Sequence, residues 1–237
     1  MTDPRQGVRH PSVIMKIGLV ACGAIVRELI AVANRQAWEF ELTAVPAQLH
    51  NRPERIPAAV RARLDAWAGR FDVILVGYGD CGTGGALDAT LADYPHVARI
   101  EGPHCYDFYG GEAFTTHNDA FPGTFYVTDF LARHFDGLVW KGLGLDRYPE
   151  LLPTYFGNYT HLMYLQQLPE QDESLRAQSG AERIGVDYLY VDTGLDEFER
   201  RVVAAVRQAQ AGGAPSSAEP SGRAPTDPVT GDDPCGG

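Results

Sequence analysis

The stretch Val73-Ile74-Leu75-Val76-Gly77-Tyr78-Gly79-Asp80-Cys81-Gly82-Thr83-Gly84-Gly85 runs from a fully apolar segment into a glycine-rich loop with a cysteine at its centre. Four consecutive apolar residues, three of them β-branched, predict a strand covered on both faces. The glycines let the chain turn sharply and leave the thiol uncrowded. Two further segments repeat the arrangement. Ile17-Gly18-Leu19-Val20-Ala21 leads to Cys22, and Val97-Ala98-Arg99-Ile100-Glu101-Gly102-Pro103-His104 leads to Cys105.

Between these strands lie helical patterns over residues 24–33, 56–67 and 86–94, and a weaker strand over 40–45. In the first helix Ile25, Leu29, Ile30 and Val32 supply the apolar face. Regular alternation of strand and helix predicts an α/β fold, a three-layer Rossmann-like arrangement of a mostly parallel sheet with helices on both faces. Ligands of such sheets sit outside the carboxyl ends of the strands. Cys22, Cys81 and Cys105 all follow strands at that edge, as does His50 in the proline-bounded loop 46–53, which is expected to be extended.

The second half is less regular. Residues 105–118 read as an aromatic loop, and the rings from Tyr106 to Phe121 either fill the core or meet a partner or planar cofactor. Strands are expected at 123–127, 161–166 and 186–191, helices at 128–135, 170–184 and 195–208, while 137–159 shows no clear pattern. Residues 1–13 read as a disordered leader, 14–210 as a single α/β domain with Met15 opening the fold, and 211–237 as a disordered tail.

The chain has 237 residues and an apolar fraction of 44%, enough for a substantial core. No run approaches the roughly 20 apolar residues of a membrane span. Met1 to His10 lacks a signal-peptide core, so a cytoplasmic protein is expected. The formal charge of −11 argues against nucleic-acid and anionic-membrane partners and leaves a small-molecule substrate open.

Four cysteines in a reducing compartment point to metal or thiol chemistry rather than disulfides, with Cys235 near the C-terminus incidental. Cys22, Cys81 and Cys105 with His50 make a tetrahedral Cys3His set suited to zinc. The same three cysteines could hold an iron–sulfur cluster with one iron open or ligated by His50. The competing readings are metal-free thiol catalysis and simple burial of small residues. Gly79 and Gly82, flanking the loop, would let the backbone approach a bound cofactor. His104 could replace His50 as ligand or act as an acid or base. Asp80 either contacts a ligand from outside the metal shell or caps the helix that follows, and Asp107 is similarly two-sided. His96, His117, His134 and His161 read as surface or core histidines. Gly77 to Gly82 also matches GxGxxG, with Glu101 about 20 residues on, but the helix that follows is short for a dinucleotide site.

The segments Val20-Ala21-Cys22-Gly23, Leu49-His50-Asn51-Arg52-Pro53, Gly77-Tyr78-Gly79-Asp80-Cys81-Gly82 and Gly102-Pro103-His104-Cys105-Tyr106 together resemble a cysteine-containing domain-of-unknown-function family of methanogens and many bacteria. The resemblance covers roughly residues 14–208. Many archaeal members have aspartate where this chain has His104. Genes of that family sit beside corrinoid-dependent methyltransferases and the iron–sulfur proteins that reactivate cobalamin. The resemblance therefore implies a metal-dependent enzyme or accessory factor in corrinoid-linked one-carbon metabolism, methionine synthesis included. Its partner would be a corrinoid protein or a methyltransferase subunit. A three-cysteine iron–sulfur lyase or hydrolase, and a non-catalytic partner that helps reactivate a corrinoid protein, are the alternatives.

Overall fold

The computed structural model describes residues 15–212; the expected leader, nearly all of the expected tail and Cys235 lie outside the described residues. Lys16–Cys22 (β1), Glu39–Val45 (β2), Val73–Gly77 (β3) and Val97–Arg99 (β4) form a parallel sheet in the order β2-β1-β3-β4. Parallel neighbours require crossovers. These are Val26–Arg35 (α1), Ile56–Ala66 (α2) and Ala86–Leu91 (α3). A second parallel sheet, in the order β5-β6-β7, is built from Thr124–Thr128 (β5), His161–Gln166 (β6) and Asp187–Asp192 (β7). Its helices are Asp129–Arg133 (α5), Leu152–Phe156 (α6) and Ser174–Ile184 (α7).

The fold is therefore α/β with parallel strands, but the strands divide between two sheets. The division falls after β4, where Cys105–Ala120 (α4) leads to β5 instead of a fifth paired strand. The last helix, Asp196–Gln210 (α8), returns to pack on β3 and β4 and against α4.

Burial follows the sequence pattern closely. Ile17, Leu19, Val20 and Ala21 of β1 and Leu75 and Val76 of β3 are completely buried, as continuous apolar runs in a two-sided sheet must be. Leu29 and Val32 of α1, Val60 and Leu64 of α2, and Phe198, Val202 and Val206 of α8 complete this core. Each fully buried side chain of this size contributes about 1.5–3 kcal/mol. Val127, Phe135, Leu162, Tyr164, Ala181 and Ile184 form the core of the second sheet.

Three local expectations are corrected. Ile30, expected on the apolar face of α1, is exposed, and Glu28 is buried there instead. Residues 105–118 are helical, not loop-like. Gly110-Gly111 disguised the helix, and the backbone kinks there, with Gly111 at φ 50° and ψ −133°. The loop 46–53 is not extended: 3-10 turns span Ala47–Asn51 and Pro53–Arg55, with the prolines at turn starts where a missing N–H costs nothing. Among the described residues no helix is long and apolar enough to cross a membrane.

Candidate functional site

Strand register sets the first cysteine against the central loop. Ala21 pairs with Gly77, so Cys22, at the end of β1, is level with Tyr78 just beyond β3. Cys22 is buried, and its sulfur accepts the Ala24 N–H at 3.4 Å as the chain turns into α1. The other two cysteine turns are bonded to each other. The Asp80 N–H donates to the Gly102 carbonyl at 3.0 Å, and the Cys81 N–H to the Pro103 carbonyl at 2.7 Å. Cys81 itself sits at φ 50°, a left-handed conformation that costs a non-glycine residue about 1–2 kcal/mol.

Gly79 permits this closeness. A Cβ there would stand 2.7 Å from the Gly102 carbonyl oxygen and 3.0 Å from the His104 nitrogen. Gly79→Ala is accordingly expected to destabilise the protein by about 1–3 kcal/mol, because rigid backbone must move. Chemical denaturation measures this, and wild-type stability would show that the 102–104 turn yields freely. On its other side the loop abuts the segment bearing His50, since a Cβ at Gly82 would stand 3.6 Å from Pro53.

The three thiols share one poorly solvated region. Burial pushes the Cys22 thiol up to about 11 and the Cys81 thiol up to about 12. Burial, followed by the charges of Cys81 and Cys22, also holds Cys105 well above its ordinary range. All three are protonated at neutral pH and, as they stand, poor nucleophiles.

His50 is exposed, and its ring stacks on that of Tyr78 with centroids 5.8 Å apart and planes 13° apart. Its Nδ1 lies 2.9 Å from the Ala47 carbonyl. A carbonyl only accepts, so Nδ1 carries the hydrogen and Nε2 keeps the lone pair of the neutral ring. His104 packs its ring 5.4 Å from both Tyr106 and Phe114. Burial lowers its pKa, against the opposing charge of Asp107, and its Nδ1 is enclosed without a hydrogen-bond partner.

Other predicted residues have local duties. Asp80 accepts from Thr83 Oγ1 at 2.9 Å, Gly85 N at 2.8 Å and Gly84 N at 3.2 Å. Partial desolvation opposes ionisation, yet these bonds and the Arg99 charge hold its carboxyl below the usual range. These bonds brace the 83–85 turn and do not cap α3, which begins at Ala86 without a side-chain cap. Asp107 is ion-paired with Arg201 at 2.8 Å. His96, His117 and His161 lie near Ala209 O, Thr124 Oγ1 and Thr160 Oγ1, and His134 packs on Phe130. Of the aromatic segment, Phe108 and Tyr109 are core residues, Tyr106 and Phe114 pack with Tyr126, and Phe121 is exposed.

The structure adds residues that the sequence reading passed over. Glu28 of α1 is 3% exposed and its charge influences both Cys22 and Cys105. Burial raises its carboxyl to about 7, with Asp129 adding to the rise and Arg27 and Arg133 opposing it. The signal was present: Ile25, Glu28, Leu29 and Val32 follow helical spacing, so a carboxylate occupies a core position. The buried hydroxyls of Tyr78 and Tyr109, beside the same thiols, make no hydrogen bond of normal geometry. Among the described residues, no three His, Cys, Asp or Glu side chains form a ready-made metal-holding group. A surface hollow of about 210 Å³ lies elsewhere, between Arg99, Glu101 and Arg200, Arg201 and Gln208 of α8. Its arginines are paired with Asp88, Glu197 and Asp107.

A family model described as protein of unknown function (DUF1638) matches residues 44–202, a span that contains His50, Cys81 and Cys105 but not Cys22. A stretch of 81 residues is 37% identical to the exodeoxyribonuclease 7 large subunit of Pseudomonas fluorescens (strain SBW25). That stretch is 33% of this chain and 16% of that protein. No solved structure matches the chain.

Proposed function

Given that the chain belongs to the DUF1638 family of proteins of unknown function, we propose that Cys22, Cys81 and Cys105, with His50, hold a soft metal, either zinc or an iron–sulfur cluster. What supports this reading is that the three cysteines, each following a different strand, pack in or against one core, with the Cys81 turn bonded to the turn that leads to Cys105. Three thiolates cannot coexist there uncompensated. A soft cation that displaces their protons relieves the repulsion, and sulfur donors with an imidazole suit zinc or iron–sulfur ligation. The backbone bond at His50 Nδ1 leaves Nε2 as a donor atom, the usual arrangement of a metal-binding imidazole. No ready-made metal-holding group is formed among the described residues, so loading would require these side chains to move closer together.

When bound, such a metal, with His50 leaving the fourth position open, would hold a substrate thiol as its thiolate near neutral pH, a nucleophile toward a methyl group. Glu28, poised near neutrality, is placed to hold or release a proton at its carboxylate oxygen. His104 offers a neutral imidazole nitrogen beside Cys105. The resemblance noted from the sequence implies that this chemistry would serve corrinoid-linked methyl transfer, methionine synthesis included, with a corrinoid protein or methyltransferase subunit as partner. The free thiols suit the reducing cytoplasm.

Metal analysis and a visible spectrum of anaerobically purified protein test the central claim, with Cys81→Ala alongside. About one zinc per chain, or a brown iron–sulfur chromophore, is expected in the wild type and at most a small residue in Cys81→Ala. Neither metal nor chromophore in the wild type would refute it. Capture of a corrinoid protein from the same extracts, or methyl transfer from methylcobalamin to a thiol, tests the corrinoid part. Failure of both assays removes that part.

A further inference from the structure

Tyr78 is 1% exposed and projects from the junction between β3 and the Cys81 loop. Its hydroxyl lies against the Cys22 thiol, near enough that each alters the ionisation of the other, yet it makes no hydrogen bond of normal geometry. An enclosed hydroxyl without a partner costs a fold on the order of 1–3 kcal/mol. Phenylalanine would fill the same space without that cost, so packing alone does not account for tyrosine here. A protonated thiol is a weak acceptor, whereas a thiolate is a strong one.

We propose that Tyr78 is a positioning residue for the cysteine site, its hydroxyl donating a hydrogen bond to the Cys22 sulfur when that sulfur is a metal-bound thiolate. This rests on the metal reading above and deepens it. A face of the same ring carries His50, so one side chain meets a buried sulfur and an exposed imidazole that follow two different strands. The hydroxyl is the only part of this device that Tyr78→Phe removes, because the stacking surface for His50 is retained.

The inference predicts opposite signs for two measurements on Tyr78→Phe. Metal-free stability is expected to be unchanged or higher, since an unpartnered polar group is lost. Affinity for Co²⁺, used as a spectroscopic substitute for zinc, is expected to fall about 10–100-fold, as for other groups that support a metal ligand. The sulfur-to-cobalt charge-transfer band should also shift, because a donor to the sulfur is gone. Tyr126→Phe is the control. Its hydroxyl is likewise buried without a partner, but no cysteine influences it, so affinity and band should stay as in the wild type. If wild-type protein binds Co²⁺ and Tyr78→Phe matches it in affinity and spectrum, this inference is wrong while the metal site stands. If the wild type binds no Co²⁺ but carries an iron–sulfur cluster, an unchanged cluster spectrum in Tyr78→Phe overturns this inference alone; with neither Co²⁺ nor a cluster, both are wrong.

Discussion

Asp129→Ala is expected to lower the stability of the protein by about 3–5 kcal/mol. Asp129 opens α5 directly after β5 and is 1% exposed. Its carboxylate accepts from Tyr164 Oη at 2.7 Å, Leu168 N at 2.9 Å and Gln167 N at 3.2 Å. Its own N–H donates to Gln167 Oε1 at 3.0 Å. These bonds join the carboxyl ends of β5 and β6, and the Tyr164 oxygen in turn accepts the Glu173 N–H at 3.2 Å. Alanine would strand three buried donors together, each costing about 1–3 kcal/mol when left unpaired. Asp129→Asn, which keeps one acceptor oxygen, should fall between wild type and Asp129→Ala. Urea denaturation measures both, and a loss below about 1 kcal/mol for alanine would mean that water replaces the carboxylate.

The second large effect is a pH dependence carried by Glu28. Its carboxyl rises from 4.5 in the unfolded chain to about 7 in the fold, chiefly through burial. A raised folded-state pKa means that the native protein holds the proton more tightly than the unfolded chain. The contribution to stability is therefore full below 4.5 and is lost as pH rises through about 7. That span corresponds to about 3 kcal/mol, and the near-complete burial of Glu28 leaves little solvent screening to reduce it. Glu28→Gln removes the titration while keeping the size of the side chain. Relative to the wild type, it should gain about 3 kcal/mol between pH 4.5 and pH 8, measured on metal-free protein to isolate this group. The facing charges of Arg27, Arg133 and Asp129 and the Cys22 and Cys105 thiols are common to both proteins, so they cancel in the comparison. A difference that stays flat with pH would show that Glu28 titrates in the fold as it does in the unfolded chain.

Much of the site was legible before any coordinates. The cysteines could be placed because a buried parallel strand announces itself by an unbroken apolar run, and the residue after it must emerge at the ligand edge of the sheet. Asp80 reads as two-sided in the sequence, but its hydrogen bonds go to the 83–85 turn and not to the first turn of α3, so it braces the loop and does not cap the helix. Residues 105–120 were misread because their aromatics and paired glycines mask helical spacing, and the kink at Gly111 breaks it. Glu28 and Tyr78 escaped because their significance lies in missing solvent and missing partners, which no spacing reveals.

By itself the sequence determined the α/β class, the parallel strands and the delivery of Cys22, His50, Cys81 and Cys105 to strand ends, because strand and helix periodicities are local. Only the tertiary structure decided that the strands separate into two sheets after β4, since pairing depends on which strand the crossover brings alongside. Only it pressed the Gly79 turn against Gly102, set Tyr78 between Cys22 and His50, and closed Glu28 away from water. Desolvation arises from everything packed around a group, so the ionisation of Glu28 and of the three thiols is a property of the fold.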